Sequence, residues 1–138
     1  MRFLGKYLIL GLVGGAVFGL LEISWRGWTH WTMLVLGGVC FIAIGLLNEL
    51  FEWDMALLSQ MVIASAIITV GEFLTGLLVN RLFGWEIWDY SGLPYNLWGQ
   101  ISLLWSFIWF WLSLPAILLD DFLRWKWFGE EKPRYKVF

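Results

Sequence analysis

Residues 85–100 read WEIWDYSGLPYNLWGQ, from Trp85 to Gln100, and lie between two long apolar stretches. The block is too polar to cross a bilayer and too aromatic for an ordinary solvated loop. Trp and Tyr rings suit the interface between lipid headgroups and tails, and Gly and Pro allow turns that a helix does not. We therefore predict a re-entrant or interfacial segment that covers one end of a helix bundle.

The composition places the chain in a bilayer. Hydrophobic residues make up 60% of the 138 positions and charged residues only 14%, whereas soluble domains are roughly a quarter charged. A soluble domain of this length cannot hide so much apolar surface. The chain has one cysteine, Cys40, so an intramolecular disulfide is excluded.

Four apolar stretches have the length of about 20 residues that a helix needs to cross the hydrocarbon core. We predict an all-α membrane protein with four transmembrane helices at residues 4–24, 32–50, 55–79 and 97–119, and the aromatic segment between helices 3 and 4. Residues 1–119 then form one domain, and residues 120–138 a charged juxtamembrane tail. The first stretch also resembles a signal peptide, but no clean cleavage site follows it.

The basic residues indicate the orientation. Arg2, Lys6 and five basic residues of the tail lie on one side of the predicted bundle, and the other side has only Arg26 and Arg81. Because Lys and Arg are enriched in cytoplasmic loops, we predict a multi-pass protein of the cell membrane with both termini in the cytoplasm.

Glycines on the first helix indicate close packing. Gly11, Gly15 and Gly19 recur every four residues and share one helical face, which lets another helix approach closely. Four helices are few to enclose a transport pathway, so we expect a homodimer or a larger membrane partner.

The predicted orientation brings polar residues together at the outer end. Glu72 lies on a stripe of the third helix with Ser65, Thr69 and Asn80, and an intramembrane carboxylate is a candidate functional group. The candidate ligand-binding residues at this end are Glu22, Arg26, Glu72, Asn80, Arg81, Asp89, Tyr90, Asn96 and Gln100.

Two interpretations of Glu72 remain open. The carboxylate can bind a proton, a cation or a polar ligand, or it can pair with Arg81, Arg26 or backbone donors and hold the bundle together. Asp89, between Trp88 and Tyr90, is expected to cap a turn by accepting backbone hydrogen bonds.

Several classes of activity lack their motifs. The chain has no phosphate-binding loop, no H-E-x-x-H, no G-x-S-x-G and no paired cysteines. His30 is the only histidine, and a single histidine without partners at ligand spacing does not predict a metal site. No cofactor is expected. Nucleic-acid binding is unsupported, because the basic residues are few and lie mostly beside the membrane.

Three groups of residues carry a resemblance to a known family: Glu72 to Gly76, Trp88 to Ser91, and Pro94 to Gly99. Together with the stretch from Arg26 to Trp31, they resemble the small bacterial membrane proteins of the putative ABC-transporter type IV family. The resemblance covers most of residues 5–113. The family has Arg after the glycine matched by Gly99, where this chain has Gln100, which weakens any role that needs a fixed positive charge there.

The resemblance implies transport but names no substrate. We expect a small transport component or a membrane-embedded binding subunit, and any ATPase that drives it is a separate polypeptide. The alternatives are a non-transporting scaffold or accessory subunit and, third, an intramembrane enzyme whose carboxylates act as acid and base on a lipid headgroup. No enzyme class is predicted.

Overall fold

A computed structural model of the chain describes residues 2–51, 56–130, 132, 133 and 135. The fold is all-helical, with helices α1 (Arg2–Arg26), α2 (Trp31–Phe51), α3 (Leu57–Gly76) and α4 (Leu103–Phe128). A π-helical turn, Leu77–Leu82, extends α3. Before α4, the two-residue strands β1 (Asn96–Leu97) and β2 (Ile101–Ser102) pair antiparallel.

Glycines let α1 and α2 pack backbone against backbone. A Cβ atom on Gly15 would lie 2.6 Å from the carbonyl oxygen of Leu34, and one on Gly38 would lie 2.6 Å from that of Gly11. Any larger side chain at these two positions would push the helices apart. The glycine face predicted on the first helix therefore packs against α2 of the same chain.

Hydroxyl groups join α3 to α4. Ser65 Oγ donates to the backbone oxygen of Ser106 at 2.7 Å, and Thr69 Oγ1 lies 2.9 Å from Ser106 Oγ. Small polar side chains serve in this way between helices that have no water around them. The polar stripe on α3 thus contributes to the contact with α4 along part of its length.

Three helical stretches among the described residues are long and apolar enough to cross a membrane: Leu4–Arg26, Leu57–Leu82 and Leu103–Phe128. The remaining helix, α2, contributes a shorter apolar stretch, Trp31–Leu47. The chain is therefore a helical membrane protein by length and composition, and the count of four spans stays a prediction.

The fourth helix begins and ends later than the predicted stretch 97–119. Ser102 caps its start by accepting from the backbone N–H of Trp105 at 3.2 Å, and Gly129 ends it with a left-handed φ of 66°. The helix continues past Pro115 to Phe128. The division into residues 1–119 and a tail from residue 120 stays a prediction.

Candidate functional site

A cavity of about 500 Å³ lies between the helices. It forms because α1 packs mainly on α2, and α3 mainly on α4, so that the two helix pairs leave space between them. Its wall is apolar along most of its length and is polar at the end where α1 finishes. The polar side chains of that end are Glu22, Arg26, Glu72 and Tyr90.

Glu72 is buried in the cavity wall with only 2% of its surface exposed. The Tyr90 hydroxyl donates to Oε2 at 3.0 Å, and the Trp109 indole N–H donates to Oε1 at 3.3 Å. No Lys, Arg or His nitrogen of the described residues lies within 4 Å of this carboxylate. Neutral donors therefore hold Glu72, and its remaining lone pairs are free to accept from a molecule in the cavity.

Tyr90 brings the loop before α4 to the cavity. Its backbone N–H donates to the oxygen of Gly99 at 2.7 Å, and its ring stacks on Trp105 with centroids 5.9 Å apart. Burial first, and then the nearby Glu72 carboxylate, raise the pKa of Tyr90. The phenol thus keeps its proton and remains a donor to Glu72 at neutral pH.

Glu22 and Arg26 form an ion pair at the end of α1, with Arg26 Nη2 3.4 Å from Glu22 Oε2. Arg26 Nη1 also donates to the backbone oxygen of Ile87 at 2.7 Å, and its guanidinium stacks on Trp28 at 3.9 Å. Glu22 accepts in addition from the Thr29 hydroxyl. The pair therefore connects the end of α1 to the loop and lines the polar end of the cavity.

Asn80 and Gln100 hold the loop of residues 83–102, which we call the cover segment. Asn80 Oδ1 accepts from the backbone N–H of Ile87 at 2.7 Å, and Asn80 Nδ2 donates to Gln100 Oε1 at 2.9 Å. Gln100 is buried, and its backbone oxygen accepts from the indole N–H of Trp88 at 2.9 Å. Both side chains serve the loop and do not line the cavity.

Asp89 and Asn96 shape turns within the cover segment. Asp89 Oδ1 accepts from the backbone N–H of Ser91 at 2.9 Å, and this hydrogen bond lowers the pKa of the exposed Asp89. Asn96 Nδ2 donates to the oxygen of Leu93 at 2.8 Å, and its Oδ1 accepts from the N–H of Gly99 at 2.9 Å. Each side chain acts within a few residues of its own position.

The predicted site residues thus separate into three groups. Glu22, Arg26, Glu72 and Tyr90 come together around the cavity, whereas Asn80, Asp89, Asn96 and Gln100 bond within or onto the cover segment. Arg81 is exposed, with its guanidinium 5.6 Å from the ring centre of Trp98. These positions do not by themselves assign a ligand to any of the nine residues.

Sequence reasoning missed Trp105 and Trp109 on α4. Both line the cavity, and their ring centres are 5.5 Å apart. The signal was present in the spacing, since residues four apart share a helical face. A buried indole usually needs an acceptor for its N–H, and Glu72 provides one for Trp109.

A second buried polar cluster lies at the opposite end of the bundle. Asp120 is completely buried, and its Oδ2 accepts from Arg124 Nε at 2.8 Å. Asp121 Oδ2 accepts from the hydroxyl of Tyr135 at 2.8 Å. Sequence reasoning placed these residues in a charged juxtamembrane tail and did not predict that Asp120, Asp121 and Arg124 are buried.

Comparison with known proteins gives one family. The sequence model of the family described as putative ABC-transporter type IV matches residues 14–127. No curated protein and no solved structure gives a significant match. The matched region contains α2, α3, the cover segment, all but the last residue of α4, and the residues Glu22, Arg26, Glu72 and Tyr90 of the polar end of the cavity. The chain therefore belongs to the putative ABC-transporter type IV family.

Proposed function

We propose that the chain is a transport component or membrane-embedded binding subunit whose ligand occupies the cavity between the helix pairs. The observation that carries the proposal is Glu72, a buried carboxylate in the wall of an apolar cavity of about 500 Å³. Ligand sites have volumes of roughly 300–1,000 Å³ and combine an apolar wall with a few polar groups. Membership of a transporter family agrees with this function.

The contacts of Glu72 favour binding over a purely structural role. A structural role through an ion pair would require a cation beside Glu72. The two arginines considered as partners are engaged elsewhere, Arg26 with Glu22 and Arg81 over Trp98. Glu72 instead faces open space, held by Tyr90 and Trp109.

The proposal includes a topology of four membrane spans with both termini in the cytoplasm, which places the polar end of the cavity on the outer side. Its support is the distribution of Lys and Arg. Single cysteines at Trp28 and Lys132, in a Cys40→Ala background, test it with an impermeant thiol reagent. Position 28 should react from outside the cell and position 132 should not. The reverse pattern would contradict the orientation.

The sequence contains no phosphate-binding loop, so an ATPase that drives transport would be a second polypeptide. The proposal also includes a homodimer or a larger membrane partner, because four helices are few to enclose a transport pathway. Copurification of an ATPase subunit with the tagged chain would support this arrangement.

A cavity-filling variant tests the binding function. Ala116 lines the cavity on α4, far from Glu72, whereas Ala66 is exposed on α3. We expect mass spectrometry of the protein released from its native membrane to find a bound small molecule in the parent and in Ala66→Phe. The molecule should be missing from Ala116→Phe. If all three proteins carry the same molecules, or none, the cavity is not a binding site and the scaffold interpretation stands.

A further inference from the structure

We propose that the ligand is a single-chain amphiphile with a cationic, hydrogen-bond-donating head, and that it reaches the cavity sideways from the bilayer. The head lies beside Glu72, and the apolar chain runs toward Ala116 and Leu119. This inference rests on the binding function proposed above and adds the chemical class, the orientation and the route of the ligand.

The dimensions of the cavity fit one slender chain. On α4 the lining residues run from Trp105 to Leu119, which is about 20 Å at about 1.5 Å per residue. A volume of about 500 Å³ spread over that length makes the cavity long and narrow. A single extended alkyl chain fits a cavity of this shape.

The polarity of the wall orients that chain. The lining residues with a charged or hydroxyl group are Glu22, Arg26, Glu72 and Tyr90, and all four are at one end. The other end is lined by apolar side chains, among them Ile44, Ala116 and Leu119. A molecule that is polar at one end and apolar along the rest matches both parts of the wall in one orientation only.

The charges at the polar end favour a cationic head. Arg26 and Glu22 neutralise each other, whereas Glu72 has hydrogen-bond donors but no cation within 4 Å among the described residues. A buried charge is strongly favoured to pair with an opposite charge. The rings of Tyr90, Trp105 and Trp109 line the same end, and aromatic faces attract cations.

The opening between α1 and α4 gives the route. Leu21, Trp25 and Leu112 line the cavity and yet remain 51%, 71% and 37% exposed. In a bilayer such apolar side chains face lipid tails. Near the polar end, the rings of Trp25 and Trp105 meet edge to face with centroids 5.5 Å apart. One aromatic contact thus closes the gap next to the head position.

Photolabelling in lipid nanodiscs tests the class and the orientation. Three probes of equal chain length carry a diazirine at the tail end and an amine, a hydroxyl or a carboxylate as the head. We expect saturable labelling by the amine probe near Ala116 and Leu119, at least tenfold weaker labelling in Glu72→Gln, and little labelling by the carboxylate probe. Preference for the carboxylate probe, or labelling near Trp25, would overturn the inference.

The controls separate this inference from the binding function. Ala116→Phe should abolish saturable labelling and Ala66→Phe should preserve it. Absence of saturable labelling with all three probes would contradict the binding function itself. A different result would contradict only the ligand class. In that result Ala116→Phe removes the saturable labelling, but the labelling is equal for the three head groups and unchanged in Glu72→Gln. Trp25→Ala should accelerate labelling by the amine probe severalfold, and an unchanged rate would overturn the lateral route.

Discussion

Two buried carboxylates at opposite ends of the bundle have opposite surroundings. Asp120 accepts from Arg124, four residues further along the same helix, and lies against α2 where Gly45 leaves room for it. Glu72 accepts from a phenol and an indole and borders a cavity. One carboxylate has a cation and no free space, and the other has free space and no cation.

Under the binding function proposed above, Asp120 maintains the fold and Glu72 is available to a ligand. Placing two charges away from water is costly unless each is paired and hydrogen-bonded. At the Asp120 end the pairing is made within the chain. Glu72 itself accepts from neutral donors only among the described residues, and in our proposal a ligand supplies the positive charge.

The largest expected effect comes from removing the cation at the Asp120 end. Arg124→Met keeps the length of the side chain but leaves the buried Asp120 without its ion-pair partner, and breaking a buried pair costs about 3–5 kcal/mol. The free energy of unfolding in detergent should fall by that amount. Lys126→Met removes an exposed charge from the same helix and should cost less than about 1 kcal/mol. Similar losses in the two variants would mean that the pair is not structural.

A smaller loss is expected when the space beside Asp120 is filled. A Cβ atom on Gly45 would lie 2.5 Å from both carboxylate oxygens of Asp120. Gly45→Ala should therefore lower the free energy of unfolding by about 1–3 kcal/mol, as overpacking does. Gly5→Ala is the matched control, since nothing lies within 4 Å of its added Cβ. That variant should be neutral or gain up to about 1 kcal/mol from helix propensity.

Of the three variants at buried positions, Glu72→Gln should change the free energy of unfolding least. Gln is similar in size and keeps one acceptor oxygen, so Glu72→Gln should lose about one hydrogen bond, or about 1 kcal/mol. Heat denaturation in detergent measures this change. A loss as large as that of Arg124→Met would show that Glu72 holds the bundle together. The contrast drawn between the two buried carboxylates would then be wrong.

The smallest effect concerns a surface turn. The hydrogen bond from Ser91 lowers the pKa of Asp89 in the folded chain, so its stabilisation is present above the unfolded pKa of about 3.9 and disappears as the pH falls through the folded value. At neutral pH, Asp89→Leu should speed hydrogen exchange across residues 84–98, and Asp89→Asn should do so less, because Asn still accepts. The difference between parent and Asp89→Leu should vanish in acid, and a difference independent of pH would rule out the cap.

The sequence predicted the helical membrane class and indicated Glu72 as a carboxylate inside an apolar stretch, because composition, hydropathy and a charge within such a stretch are local properties. It placed Glu22, Arg26, Glu72 and Tyr90 only at the same depth in the membrane. It did not predict that these four side chains line one cavity. The split between cavity residues and loop residues such as Asn80 depends on side-chain direction in the cover segment, which no periodic pattern encodes. The burial of Asp120 and Arg124 was missed, because a charged pair four residues apart looks the same in a solvated helix as in one packed against a glycine.

The hydrogen bond from Tyr90 to Glu72 connects the wall of the cavity to a loop at the surface. Tyr90 belongs to the cover segment and Glu72 belongs to α3, so this hydrogen bond is one of the contacts between them. A group that binds Glu72 and weakens this bond also loosens the cover segment, and by thermodynamic reciprocity a partner that displaces the segment changes affinity in the cavity by the same factor. If the cavity binds a ligand, this bond is a physical link through which its occupancy affects the loop.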